Sequence, residues 1–294
     1  MTDLLELSIS ILEAGGIYGL MALAYLLVLR PTGIINFAVG EWATLAAFFA
    51  VATLTWWQLP YVPGALLALA AVAAVGAVTE RLVIRPMVER GAPLLTPILI
   101  LLGMVVVYRE SAALGFGTQN LRVPPPLGFG RLELGFGIGA PMQSFVVIAV
   151  SGAVFLGTWL FFERTLWGKA FQAVAIDRVA AGLMGINLRL VAALSFAGAA
   201  ATAGLAGVLQ APLTSAHYLM GLPLAIKGFS ALVVGGVGRV EGCLLGGLVL
   251  AACERLVMRY APIPSGFAIG VPLLLMIVFL LVRPTGLIGA RRSS

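Results

Sequence analysis

"MQSFVVIAVSGAVFLGTWLFF", residues 142–162, runs for 21 positions without a charged side chain. As a helix rising about 1.5 Å per residue it would be about 30 Å long, the thickness of a bilayer's hydrocarbon. It stops abruptly on "ERTLWGKAFQAVAIDRVAAGLMGINLRL", residues 163–190, where Glu163, Arg164, Lys169, Asp177, Arg178 and Arg189 bring six charges together. A run of spanning length that ends on such a segment reads as a membrane helix emerging into water. The same pattern recurs at 11–29, 36–55, 61–79, 93–114, 189–210, 221–237, 242–260 and 266–282.

Composition agrees. Hydrophobic residues make up 61% of the 294 and charged residues 10%, against about 25% charged in soluble domains. The mean hydropathy is +1.08. Strands of a membrane barrel would alternate polar and apolar residues over about 10 positions, and these runs do not. The expectation is an all-α integral membrane protein, a polytopic bundle of about 8–10 transmembrane helices forming a single domain over 1–294. The run at 221–237 is short and rich in Gly, so a re-entrant segment fits it as well as a full crossing.

Threading the runs alternately places 12 of the 18 basic residues on one side, with Arg30, Arg81, Arg85, Arg90, Arg164, Lys169, Arg178, Arg189, Arg239, Arg283, Arg291 and Arg292 there. By the positive-inside rule that side is cytoplasmic. The N-terminus, with Asp3, Glu6 and Glu13 and no base before Arg30, then lies outside and the C-terminus inside. The net charge of +6 therefore reflects topology and implies no nucleic-acid partner. The first run has no basic n-region or cleavage site before it and is expected to be retained. Cys243 and Cys253 lack metal-ligand spacing with the single His217 and read as small packing residues.

Punctuation supplies further detail. "RPTGII" at 30–35 and "RPTGLI" at 283–288 each follow an apolar run, as two helix stops or as traces of a duplication. The outer loop 115–141, rich in Pro and Gly, is expected to be irregular and exposed. "GGVGRVEG" at 235–242 has GxGxxxG spacing and no preceding strand, so it is not a nucleotide loop.

The segment 163–190 has helical punctuation of its own. Asp177 is placed to cap "RVAAGLMG", and Gly185 to end it. It reads either as a solvated anchor or as a docking rod. The second reading is suggested by Phe171, Val174, Ile176, Val179, Leu183 and Met184, which need cover, and by the slender Ala170, Ala173, Ala175, Ala180 and Ala181, which suit a groove on a partner. Within the apolar runs, Asn36, Glu41 and Lys227 are the polar residues that a translocation pathway would use. Two bland alternatives stand beside that reading: Glu41 at the cytoplasmic end of its helix, favoured by the dipole, and Lys227 snorkelling to an interface. Arg109 and Glu110 point to different helix faces and need separate partners.

"GIINFAVGEWATLAAF" (33–48), "ERLVIRP" (80–86), "LWGKAFQAVAIDRVAAGLMGI" (166–186), "AGVLQAP" (206–212) and "IKGFSALVVGGVGRVEGCLLGG" (226–247) together resemble the permease subunits of ATP-binding-cassette (ABC) importers for branched-chain amino acids and related amides. The resemblance covers most of the chain in the family's order. It implies an ABC importer permease in a prokaryotic cytoplasmic (inner) membrane. The implied partners are a second, paralogous permease, two cytoplasmic ATPase subunits that hold ATP and Mg, and an extracytoplasmic substrate-binding protein. No cofactor is implied on this chain. Residues 163–190 would then couple to the ATPases through Phe171, Val174, Asp177, Arg178, Ala180, Ala181, Leu183 and Gly185. Val179 stands where many importers have Glu, and Val39 where family members often have His or Gln.

Two other classes compete. A secondary transporter would couple an ion through Glu41, Lys227 and Glu254. An intramembrane enzyme would need a catalytic constellation that the motifs do not supply. The topology is directly testable. In a variant lacking Cys243 and Cys253, a cysteine at Leu183 should react with an impermeant maleimide only after permeabilisation, and one at Gln119 should react in intact spheroplasts; the reverse pattern would invert the threading.

Overall fold

Every one of the nine apolar runs forms a helix in the computed structural model, which describes residues 2–93, 95–128, 130–133, 139–260, 270–283 and 286–288. Helix α1 (Thr2–Thr32) is followed by α2 (Val39–Ala50), which continues as a π-helical stretch over Val51–Trp56. Helix α3 (Tyr61–Thr79) passes through a second π-helical stretch, Glu80–Ile84, into α4 (Arg85–Glu89), and α5 (Leu95–Phe116) returns. After the outer loop come α6 (Met142–Arg164), the short α7 (Leu166–Ile176) and α8 (Arg178–Leu183), then α9 (Leu188–Thr214), α10 (Gly221–Gly235), α11 (Val240–Tyr260) and α12 (Gly270–Val282).

The count of crossings differs from that of the runs. Among the described residues six helices are long and apolar enough to cross alone, or seven spans if the bent α10–α11 pair is one. Helix α10, with 15 residues, is only about 22 Å long. Its axis and that of α11 differ by 115° across the break. The two fold back on each other, since a Cβ at Gly235 would lie 1.9 Å from the carbonyl oxygen of Gly242. The glycines of "GGVGRVEG" thus serve this close turn, where Gly236 has φ +99°. Helix α11 then runs antiparallel to α1, with Cys243 beside Gly19 and Leu248 beside Gly15.

Burial separates a central group from a shell. In the most apolar windows 78% of α1, 78% of α2 and 61% of α9 are buried, against 17% of α5 and 22% of α6. Lipid tails are as apolar as Leu, so helix association in a bilayer relies on close backbone packing. Gly207 shows it on α9: a Cβ there would sit 2.1 Å from the carbonyl oxygen of Ala43 on α2.

The outer loop is more ordered than its composition implies. Strands β1 (Arg131–Glu133) and β2 (Gly139–Pro141) pair antiparallel, and Leu121 exchanges two backbone hydrogen bonds, 2.9 and 2.8 Å, with Ala216 beyond α9. The glycines of the two RPTG stretches have similar conformations, Gly33 at φ +72° directly after α1 and Gly286 at φ +74° beyond α12. Their partners differ, for Leu287 and Ile288 bond to Val234 and Gly235 at the α10–α11 turn. Arg291 and Arg292 lie outside the described residues.

Gly207→Val would force a branched side chain onto the α2 backbone and should destabilise the protein by about 1–3 kcal/mol or more. Gly198→Ala, with nothing within 4 Å, should be neutral or stabilising. Thermal unfolding in detergent measures both, and equal midpoints would refute the packing argument.

Candidate functional site

Side-chain caps shape the segment 163–190. The Thr165 hydroxyl accepts from the Gly168 N–H at 2.9 Å and starts α7. Asp177 Oδ1 accepts from the Val179 and Ala180 N–H groups, both at 2.9 Å, as its sequence position predicts. Gly185, at φ +88°, ends the turn that follows α8. Asn187 Oδ1 then accepts from the Leu190 N–H at 3.1 Å and opens α9.

Burial divides the residues assigned to coupling. Phe171, Val174 and Ala181 are buried within the chain itself, with Phe171 edge-on to Phe161 and Phe162 at 5.9 and 6.3 Å. This corrects the expectation that they face a partner, because their neighbours already cover them; they fasten the segment to the bundle. Asp177, Ala180 and Gly185 are exposed and Arg178 is half-buried. Ile176, Val179, Leu183 and Met184 leave an apolar surface that nothing among the described residues covers, with Leu183 84% exposed.

Behind α8 lies a cavity of about 260 Å³ between α3–α4 and the start of α9. Its walls carry ion pairs. The π-helical stretch places Arg85 over Glu80, with Nη2 donating to Oε2 at 2.7 Å and Nε to Oε1 at 3.3 Å. Arg189 Nε meets Glu89 Oε1 at 2.9 Å. Arg178 and Thr32 complete the polar lining.

Deeper in the bundle, Arg109 Nη2 on α5 donates to Glu41 Oε1 on α2 at 2.9 Å. Arg109 is 14 residues beyond Leu95, about 21 Å along α5, so this pair lies inside the bilayer's thickness. Glu41 does occupy the first turn of α2, where the dipole favours it, but that turn is not at the cytoplasmic end. Residues 33–38 connect α1 to α2. Asn36 shapes that connection: its Oδ1 accepts from the Ala38 N–H at 2.9 Å, and its Nδ2 is buried without a protein partner. Tyr108, next to Arg109, shares a short hydrogen bond with Thr79 of α3.

Lys227 turns inward to partners on two other helices. Its Nζ donates to Glu254 Oε1 at 2.7 Å and to the Tyr18 hydroxyl at 2.8 Å, tying α10 to α11 and α1. These contacts occupy the side of α10 away from Leu222, Ala225, Ile226 and Phe229, which line an apolar cavity. Sequence reasoning flagged Glu41, Lys227, Arg109 and Glu254 without joining them. The signal that could have done so is charge balance, since each buried charge needs an opposite one. On the outer face, half-buried His217 loses solvent, which lowers its pKa from the usual imidazole value and leaves it neutral at pH 7.

A family model described as branched-chain amino acid transport system / permease component matches residues 7–280. The high-affinity branched-chain amino acid transport system permease protein BraD of Pseudomonas aeruginosa is 32% identical, over 95% of this chain and 93% of its own. The corresponding LivH of Escherichia coli K12 is 30% identical over 94% and 92%. The ribose import permease protein RbsC of Escherichia coli K12 is 29% identical over 82% and 74%. Among solved structures, PsaBC from Streptococcus pneumoniae in complex with Fab aligns with a TM-score of 0.52 over 94% of this chain and 91% of that one, at 13% identity, a likeness of fold alone.

Lys227→Met would strand the buried Glu254 carboxylate and should cost about 3–5 kcal/mol, whereas Lys227→Met with Glu254→Gln should recover most of that loss. Thermal unfolding of the purified variants compares them; a double variant no better than the single would refute the strut assignment.

Proposed function

Since this chain belongs to the branched-chain amino acid transport system / permease component family, it is a permease subunit of an ABC importer, and we propose that it carries branched-chain or similarly small apolar amino acids inward, forming the pathway with a second, paralogous permease. The observation that carries this reading is the chain-long likeness to BraD and LivH. ATP and Mg are assigned to two cytoplasmic ATPase subunits, substrate delivery to an extracytoplasmic binding protein, and the location to the prokaryotic inner membrane, with the N-terminus outside and the C-terminus in the cytoplasm.

Coupling is assigned to α7 and α8. The exposed apolar residues Ile176, Val179, Leu183 and Met184 supply a surface for a groove on the ATPase, with Asp177, Arg178, Ala180 and Gly185 beside them. Phe171, Val174 and Ala181 transmit displacement by packing on the bundle rather than by touching the ATPase. The cavity behind α8 gives that helix somewhere to move relative to α3 and α4. Such movement can switch the pathway between outside and inside only if the ATPase binds the two states with different affinity.

Purification of the tagged chain from its native membrane in mild detergent should recover two ATPases and a second permease by mass spectrometry. Leu183→Glu should remove the ATPases while keeping the second permease, and should lower ATP-driven leucine uptake by about tenfold or more, the equivalent of about 1.4 kcal/mol of docking. Uptake by this chain alone in ATP-free proteoliposomes would replace the assignment with a secondary transporter.

A further inference from the structure

We propose that the Glu41–Arg109 ion pair and the apolar cavity beside it form a subsite for an amino acid zwitterion within the membrane, the two side chains neutralising each other until the substrate's own charges arrive. This rests on the reading of the chain as an amino acid permease and goes beyond it by naming the residues that meet the substrate's head and tail.

The cavity is about 330 Å³, at the small end of the range of about 300–1,000 Å³ for ligand pockets. Tyr25, Phe37, Leu102, Val105, Ile226 and Phe229 line it, a wall that suits a branched aliphatic side chain. Leu102, Val105 and Arg109 follow the three- and four-residue spacing of one face of α5, so the pair lies about one helical turn beyond the cavity wall. On the α2 side, Phe37 precedes Glu41 by four residues. Ala225, another wall residue, packs on Gly40, where an added Cβ would lie 2.7 Å from its own. Neither charged residue lines the cavity itself; the pair lies about one turn of α5 beyond Val105, next to the Gly40–Ala225 contact.

The pair is incompletely satisfied. Among the described residues Glu41 Oε2 and Arg109 Nε are buried without a close hydrogen-bond partner, although the Thr44 hydroxyl is near enough to the Glu41 carboxylate to favour its charged form. A buried ion pair repays its desolvation only when its remaining donors and acceptors are also met. An incoming ammonium on Glu41 and a carboxylate on Arg109 would supply those partners, since a guanidinium and a carboxylate can join through two parallel hydrogen bonds. The match of one negative and one positive group beside an apolar wall selects a zwitterion over an uncharged solute of the same size.

The test uses the complete importer, with its second permease, ATPases and binding protein, in proteoliposomes, and reads ATP-driven leucine uptake together with assembly. Glu41→Gln keeps a hydrogen bond to Arg109 but offers no charge to the ammonium, and should lower uptake by about tenfold or more with the complex assembled. Exchanging the charges, Glu41→Arg with Arg109→Glu, rebuilds the link between α2 and α5 but reverses the head group relative to the cavity. The proposal expects uptake to stay as low as in Glu41→Gln; recovery to within about twofold of the native rate would make the pair a strut and overturn the subsite. Should the exchange variant fail to assemble, Ile226→Phe decides, because it narrows the cavity without altering either charge. It should shift the uptake ratio of valine to leucine by about threefold or more in favour of valine, and an unchanged ratio overturns the proposal. A native importer that moves no amino acid defeats the functional reading itself; one that moves leucine, with variants that do so equally well, defeats only the subsite.

Discussion

A charge held in hydrocarbon finds no water, and that constraint organises this bundle from the inside. Glu41 and Arg109 sit against each other between α2 and α5, and Lys227 and Glu254 between α10 and α11. The first pair joins helices separated by α3 and α4, the second two consecutive helices, and each fixes which faces meet. The two pairs are not equivalent. Lys227 has the Tyr18 hydroxyl as well as Glu254, which makes it a well-supplied strut. Among the described residues one carboxylate oxygen of each pair, Glu41 Oε2 and Glu254 Oε2, is buried without a partner; what sets Glu41–Arg109 apart is the apolar cavity about one helical turn along α5.

Around these pairs the helices pack by close backbone approach. Gly207 against Ala43 and Gly246 against Ala231 leave no room for a side chain, so α9 on α2 and α11 on α10 are held at fixed distances. Interfaces of this kind resist gradual deformation and move as bodies. The shell helices α5 and α6 present long apolar faces with far fewer internal neighbours.

In the segment between α6 and α9 the structure is held by caps and by packing on one face. Thr165, Asp177 and Asn187 cap three successive helices, so α7 and α8 keep their shape without leaning on solvent. Phe171 and Val174 attach that shape to the bundle, while Ile176, Val179 and Leu183 face away from it. An element that is internally stiff, anchored on one face and apolar on the other can pass a displacement from a docked partner into the membrane.

The nine apolar runs, the cap at Asp177 and the stop at Gly185 could all be read from the chain, because each depends on neighbours within a few residues or on the local cost of placing a residue in lipid. The crossing count could not, since α10 and α11 are each plausible as spans and only their 115° turn shows them folded on one another. Composition made the outer loop irregular, whereas pairing with a distant partner at Ala216 gave it order. The apolar residues of 163–190 were visible, but which of them face inward was decided by Phe161 and Phe162 on the preceding helix. Likewise the sequence marked Glu41 and Lys227 as costly charges and left their partners unnamed. Those partners lie 68 and 27 residues away, and no local pattern encodes a meeting that arises only when separately stable helices pack.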